Sequence, residues 1–192
     1  MTWPVSSRIN GTRRAVPRRA QDGAPLHGEA VVDDTQLFEM LTLEAFQAGL
    51  SWLTILRKRE SFQAAFRGFD PHVVADFDDA DRDRLMADAG IVRNRAKIDA
   101  TIENARLFLA QFGQPGPFHA YVTSFVGSPP PRLPATAAPG DIPATTAASD
   151  ALSRDLKKRG FRFVGSTIVY AFLQAAGFVD DHLPGCFRYR GA

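Results

Sequence analysis

The apolar and polar positions of the chain follow helical spacing from one end of its folded part to the other. Residues 37–52, LFEMLTLEAFQAGLSW, place Met40, Leu41, Leu43 and Phe46 nearly all the way round a helix. That pattern predicts a core helix rather than a surface one. Asp33 and Asp34 cap its start, where a helix N-terminus favours acids, and it runs to residue 48. Ser51 caps a second helix over 52–66, apolar at Leu53, Leu56, Phe62 and Phe66 and wet at Arg57, Lys58, Arg59 and Glu60. Asp70-Pro71 opens a short helix to residue 77, with proline at the first helical position. Residues 78–89 form another around Leu85 and Met86, stopped by Gly90. Residues 93–111 repeat apolar side chains at Ile98, Ile102, Ala105 and Leu109, and a short helix over 118–125 follows a Gly/Pro loop.

Residues 128–148 break the pattern. Pro129, Pro130, Pro131, Pro134, Pro139 and Pro143 let no regular element run through. A connection of that length predicts a segment that wraps across the domain. Ser149-Asp150 caps the next helix, to residue 159, and GFRFVG (160–165) leads into a strongly apolar helix over 166–176, ended by Gly177. No strand alternation and no internal repeat stand out, so the predicted fold is all-α. The domain is placed at 33–187, between a basic tail (1–32) and a short C-terminal tail (188–192).

Composition narrows the class. The 192 residues are 45% hydrophobic and 23% charged, as in ordinary globular proteins. No apolar run is long enough to cross a membrane, and the N-terminus lacks the apolar core of a secretory signal. One cysteine, Cys186, allows no internal disulfide and fits a reducing, cytoplasmic setting. The net charge of +2 means that nucleic-acid binding would rest on local clusters of Lys and Arg. One such cluster is the tail, with Arg8, Arg13, Arg14, Arg18 and Arg19 before the first acid, Asp22. It reads as a disordered tail, with a loose phosphate-binding arm or an organelle leader as alternatives.

Three places carry candidate chemistry. Glu44 is a carboxylate in a core helix, which is costly without a partner or a task. Trp52 follows it across Gly49-Leu50-Ser51. The two could hold a flat cationic ring between them, or Glu44 could have a backbone or Arg partner and Trp52 could be core. The second place is the hairpin of residues 160–165. Gly160 and Gly165 allow a tight turn and a close approach, Gly165 opens a helix N-terminus, and Lys157, Lys158, Arg159 and Arg162 lie around it. That grouping suits a DNA phosphate, though a plain helical hairpin with solvated cations has the same pattern. The third place is His182 and Cys186, four apart, which suit zinc but supply two donors only; a surface histidine and a buried cysteine are the alternative.

Three stretches together resemble the DNA-3-methyladenine glycosylase I family of the helix-hairpin-helix glycosylase superfamily: LFEMLTLEAFQAGLSW, DAGIVRNRAKI at 88–98, and SDALSRDLKKRGFRFVGSTIVYAFLQAAGFVDDHLPGC at 149–186. The resemblance covers residues 33–187. It implies a two-lobed, all-α fold around a base-binding cleft, and excision of 3-methyladenine from double-stranded alkylated DNA by a monomeric enzyme. Glu44 falls on the family's pocket glutamate and Trp52 on its stacking tryptophan, with Phe46 beside them as a base-binding residue. Gly49 and Leu50 fall where the family probes the duplex. Lys157, Lys158, Gly160, Phe161, Arg162, Gly165 and Ser166 fall on its DNA anchor, and His182 and Cys186 on half of its structural zinc site. The chemistry is coherent with the residues. Methylation at N3 makes the base cationic and its glycosidic bond weak, so a shaped pocket and one carboxylate suffice.

The N-terminal part departs from the family. Where tyrosine and histidine are expected, the chain has Asp22 and Gly23, and Thr123 stands where a tryptophan is expected. Only Gly28 is kept, and His27 is the sole nearby candidate for a further metal ligand. One pocket wall and half the zinc site are therefore expected to be missing. A shifted reading frame at the start of the gene, or true divergence, would explain this. The competing functional expectation is a non-catalytic or impaired DNA-binding homologue.

Overall fold

A computed structural model describes residues 31–113, 117–186 and 188–189. The basic tail, including Asp22, Gly23, His27 and Gly28, lies outside the described residues.

Among the described residues eight α-helices follow one another: α1 (Asp34–Gln47), α2 (Trp52–Ala65), α3 (Pro71–Ala75), α4 (Asp79–Ala87), α5 (Arg95–Phe112), α6 (Pro117–Val126), α7 (Ala147–Lys158) and α8 (Ser166–Ala175). Among the described residues there is no strand, only one isolated bridge between Arg132 and Asp180. The all-α expectation holds.

The caps explain most of the boundaries. The Asp33 carboxylate accepts from Gln36 N–H, Ser51 from Thr54 N–H, Asp70 from His72 N–H and Asp78 from Asp81 N–H. Two starts differ from the expectation. α5 begins at Arg95, because Asn94 and not a residue before Arg93 caps it, accepting from Lys97 N–H. α7 begins two residues before Ser149, because Thr146 forms a reciprocal box with Ser149: each side-chain oxygen accepts from the other's N–H. Ser149 thus acts inside the first turn rather than as the cap.

α1 is central. It packs against α2, α5, α6 and α8, which is why apolar side chains surround it. Its two ends serve different aromatic clusters. Phe38 meets Phe108 edge-on at 5.3 Å, and Phe108 continues into Phe112 and Phe118. Phe46 packs on Phe62 at 4.8 Å and on Phe66 at 5.9 Å, and Phe66 stacks on Phe69. Offset and edge contacts of this kind add to the burial energy of each ring.

The proline-rich connection wraps as expected. Asp180 N–H donates to Pro131 O (2.9 Å), Leu133 N–H to Asp180 O (3.4 Å), and Arg132 pairs with the Asp180 carboxylate. It is thereby tied to the segment that follows α8. Val31 N–H donates to Ala176 O at 3.1 Å, joining the start of the described chain to the end of α8.

Candidate active site

α1 buries two acids, Glu39 in its first half and Glu44 near its end. Glu39 is buried and salt-bridged to Arg59 Nε at 2.8 Å, and Gln63 Nε2 donates to the same oxygen at 3.0 Å. Glu44, more than a turn later, is only 2% exposed.

The turn from α1 to α2 is pinned at every step. Gly49 has φ +84°, a left-handed conformation that side chains rarely adopt. Leu50 N–H donates to Gln47 O at 2.7 Å, and Gln47 Nε2 donates back to Leu50 O at 3.0 Å. Ser51 and Thr54 share a hydroxyl contact of 2.8 Å. The result is a rigid turn with Leu50, 41% exposed, at its tip. Trp52 is half-buried and packs against the core as the first residue of α2. Phe46 is a correction: its ring is fully buried between Phe62 and Phe66, so it is a core side chain and not a wall that a base could touch.

Lys97 is the residue that sequence reasoning missed. It is buried, and its ammonium donates to Phe46 O (3.0 Å) and Ala48 O (2.9 Å), two carbonyls at the C-terminal end of α1. Those carbonyls have no partner within the helix, and a cation there complements the helix dipole. Burial lowers the proton affinity of Lys97 below the ordinary lysine range. The clue was available in sequence: Lys97 sits on the buried face shared by Ile98 and Thr101.

The hairpin between α7 and α8 is equally built. Gly160, at φ +96°, closes α7: its N–H donates to Lys157 O and the Phe161 N–H to Leu156 O, both at 3.0 Å. Asn104 on α5 then holds Arg162 by both main-chain groups, accepting from its N–H at 2.9 Å and donating to its carbonyl at 3.0 Å. Ser153 donates to Val164 O at 2.6 Å. Lys157, Lys158 and Arg162 are exposed around this turn. Phe161 is a second correction: the residue is buried, with its ring near Phe112 (6.4 Å between centroids), so it packs into the protein rather than standing on the surface of the turn. Arg159, read as one of the surrounding cations, is turned to the protein. It binds Asp155 at 2.5 Å and lies 4.9 Å over the Tyr121 ring.

Gly165 differs from Gly160. Its φ is −62°, an ordinary value, and a Cβ there would meet nothing within 4 Å. The fold itself therefore does not demand glycine at this point. No side chain caps the N-terminus of α8 that it opens, where Ser166 is half-buried.

His182 and Cys186 come together, with Sγ 3.6 Å from Nδ1. Burial holds the imidazole below its usual pKa, toward the neutral form a metal would need. Among the described residues, however, no group of three or more His, Cys, Asp or Glu could hold a metal ion. A structural zinc takes four donors, so this pair does not by itself fit one. Asp181 accepts from Tyr170 O–H and from Gln174 Nε2, which makes it a structural acceptor, as does the Arg132 contact for Asp180. Thr123 returns its hydroxyl to His119 O at 2.8 Å within α6.

Comparison with known proteins agrees with this arrangement. The family model of methyladenine glycosylase matches residues 26–189. DNA-3-methyladenine glycosylase 1 of Escherichia coli (strain K12) is 51% identical over 164 residues, covering 85% of this chain and 87% of that protein. A crystal structure of 3-methyladenine DNA glycosylase I superposes with a TM-score of 0.81 at 48% identity, covering 85% of this chain and 89% of the other. A point variant of 3-methyladenine DNA glycosylase I in complex with 3-methyladenine gives 0.79 at 38% identity, covering 84% and 87%. With both the buried acid of α1 and the α7–α8 turn inside the matched region, the chain belongs to the methyladenine glycosylase family.

Proposed function

We propose that this protein is a DNA repair glycosylase that hydrolyses the N-glycosidic bond of 3-methyladenine in alkylated duplex DNA. The observation that carries the reading is the buried carboxylate of Glu44, set more than a turn before the rigid Gly49-Leu50 tip, within a chain of this family. An enzyme that acts on a base in a duplex must turn that base out of the stack. Leu50 enters the gap the base leaves, and the extruded base stacks on Trp52 with Glu44 hydrogen-bonded to its edge. The bond between C1′ and the base breaks with its electron pair going to the cationic base, which leaves neutral. Water adds to C1′ and loses a proton. Glu44 favours the positive charge that moves to the sugar.

The α7–α8 turn acts as a helix-hairpin-helix anchor for the phosphate backbone, with Lys157, Lys158 and Arg162 supplying charge. Gly165 and the uncapped start of α8 let a phosphate approach the main chain closely. No described helix is long and apolar enough to cross a membrane. The protein works as a cytoplasmic monomer. Zinc enters no step of this proposal.

The test is release of 3-methyladenine from methylated duplex DNA. Glu44→Gln is expected to lower release by about tenfold or more, at least about 1.4 kcal/mol of transition-state stabilisation, with DNA affinity retained. DNA binding with no release by the unsubstituted protein would identify a non-catalytic homologue instead.

A further inference from the structure

α5 carries three polar side chains on its buried face, Lys97, Thr101 and Asn104, in a row otherwise occupied by Ile98, Ala100, Ile102, Ala105, Phe108 and Phe112. Burying polar groups is costly unless each is bonded, and these three are bonded in a specific way. Lys97 holds the main chain at the end of α1, Asn104 holds the main chain of the hairpin at Arg162, and the Thr101 hydroxyl donates to Lys97 O between them. The apolar residues already dock α5 on its neighbours. The polar ones reach past them, to the Gly49-Leu50 turn on one side and the phosphate-facing turn on the other.

Lys97 and Asn104 are seven residues apart, two turns of one face, about 10.5 Å along a helix axis. We infer that α5 is a ruler: Lys97 and Asn104 are positioning residues that hang the duplex-probing turn and the phosphate-anchoring turn from one rigid helix and so fix their separation. The inference rests on the proposed function. A glycosylase must grip the backbone and open the stack at a set distance, and a displacement of about 1 Å can cost on the order of a hundredfold in rate. Both target segments are main chain, so the separation is kept whatever side chains they carry.

The experiment compares the full-length protein with Lys97→Met and Asn104→Leu, close in volume and unable to make these bonds. Three quantities are read: base release from methylated duplex split into kcat and KM, affinity for free 3-methyladenine, and melting temperature. Lys97→Met is expected to lower kcat on duplex about tenfold or more while free-base affinity stays within about twofold, because Glu44 lies inside α1, before the released carbonyls, and Trp52 is held by α2 and its packing on the core. Asn104→Leu is expected to raise KM about tenfold with kcat retained, and to weaken duplex binding equally. Lys97→Gln and Asn104→Asp, which each keep one bond, should recover part of each loss. Folded variants with unchanged duplex turnover would overturn the inference. So would a loss of kcat in every variant that only follows melting temperature, with KM unchanged, or failure of all four variants to fold, since either outcome makes these residues mere supports of the core. If the unsubstituted protein releases no base, the proposed function fails, and the duplex affinities of the Asn104 variants still decide whether the anchor hangs from α5.

Discussion

Asp155 shows how much one side chain can organise. Its carboxylate accepts from Tyr121 O–H at 2.7 Å and from Arg159 Nε at 2.5 Å, joining α6 to the end of α7. Arg159 first, and Tyr121 next, hold the carboxyl below the ordinary value of 3.8. Burial first, and then Asp155, pushes the Tyr121 hydroxyl far above the usual phenol range. A carboxylate with a depressed pKa in the folded state stabilises fully above its unfolded value and loses that contribution as pH falls through the lower folded one. Asp155→Asn is expected to cost about 1 kcal/mol at pH 7, since the pair is partly solvated, and the gap to the unsubstituted protein should narrow below pH 4. Urea unfolding at pH 7 and pH 3 checks both. Residues of this kind are hard to find in sequence. Glu39 looks like Glu44 in the chain, and its pairing with Arg59 and Gln63 becomes visible only when the next helix is placed. Lys97 stands among helical charges, where a lysine reads as solvated until the opposing carbonyls are placed.

At the scale of elements, helices were legible wherever an apolar period and a cap coincided, as at Asp33, Ser51, Asp70 and Asp78. The starts of α5 and α7 were misread where two capping residues lay close together, since spacing cannot choose between Thr146 and Ser149. The 160–165 turn was recognised by its glycines, but they do different jobs. Gly160 is needed by the backbone at φ +96°, and a Cβ there would come 3.3 Å from Leu107 Cδ1. Gly160→Ala is expected to cost about 1–2 kcal/mol of stability. Gly165→Ala should leave stability nearly unchanged and weaken duplex binding, because its open side faces outward. Thermal unfolding and a DNA titration of the two variants separate these roles.

Over the whole molecule, the order of helices was readable and their mutual packing was not. Periodicity marks a buried face but does not name the face it meets. That α1 would draw Phe38 into one aromatic cluster and Phe46 into another emerges only in three dimensions, and it removes Phe46 from the base site. Phe66, fully buried among Phe46, Phe62 and Phe69, is expected to cost about 3–5 kcal/mol when changed to alanine, measured by denaturant unfolding.

The bond from Val31 to Ala176 has a consequence for biogenesis. α1 is made well before its neighbour α8, and it leaves the ribosome with apolar side chains nearly all the way round. Until then, the surface that α8 will cover stays open to chaperones and to other nascent chains. The buried carboxylate of Glu44 thus sits on a helix whose packing is completed only after α8 has been made, so a chain broken before α8 would be an aggregating fragment rather than a partly working repair enzyme.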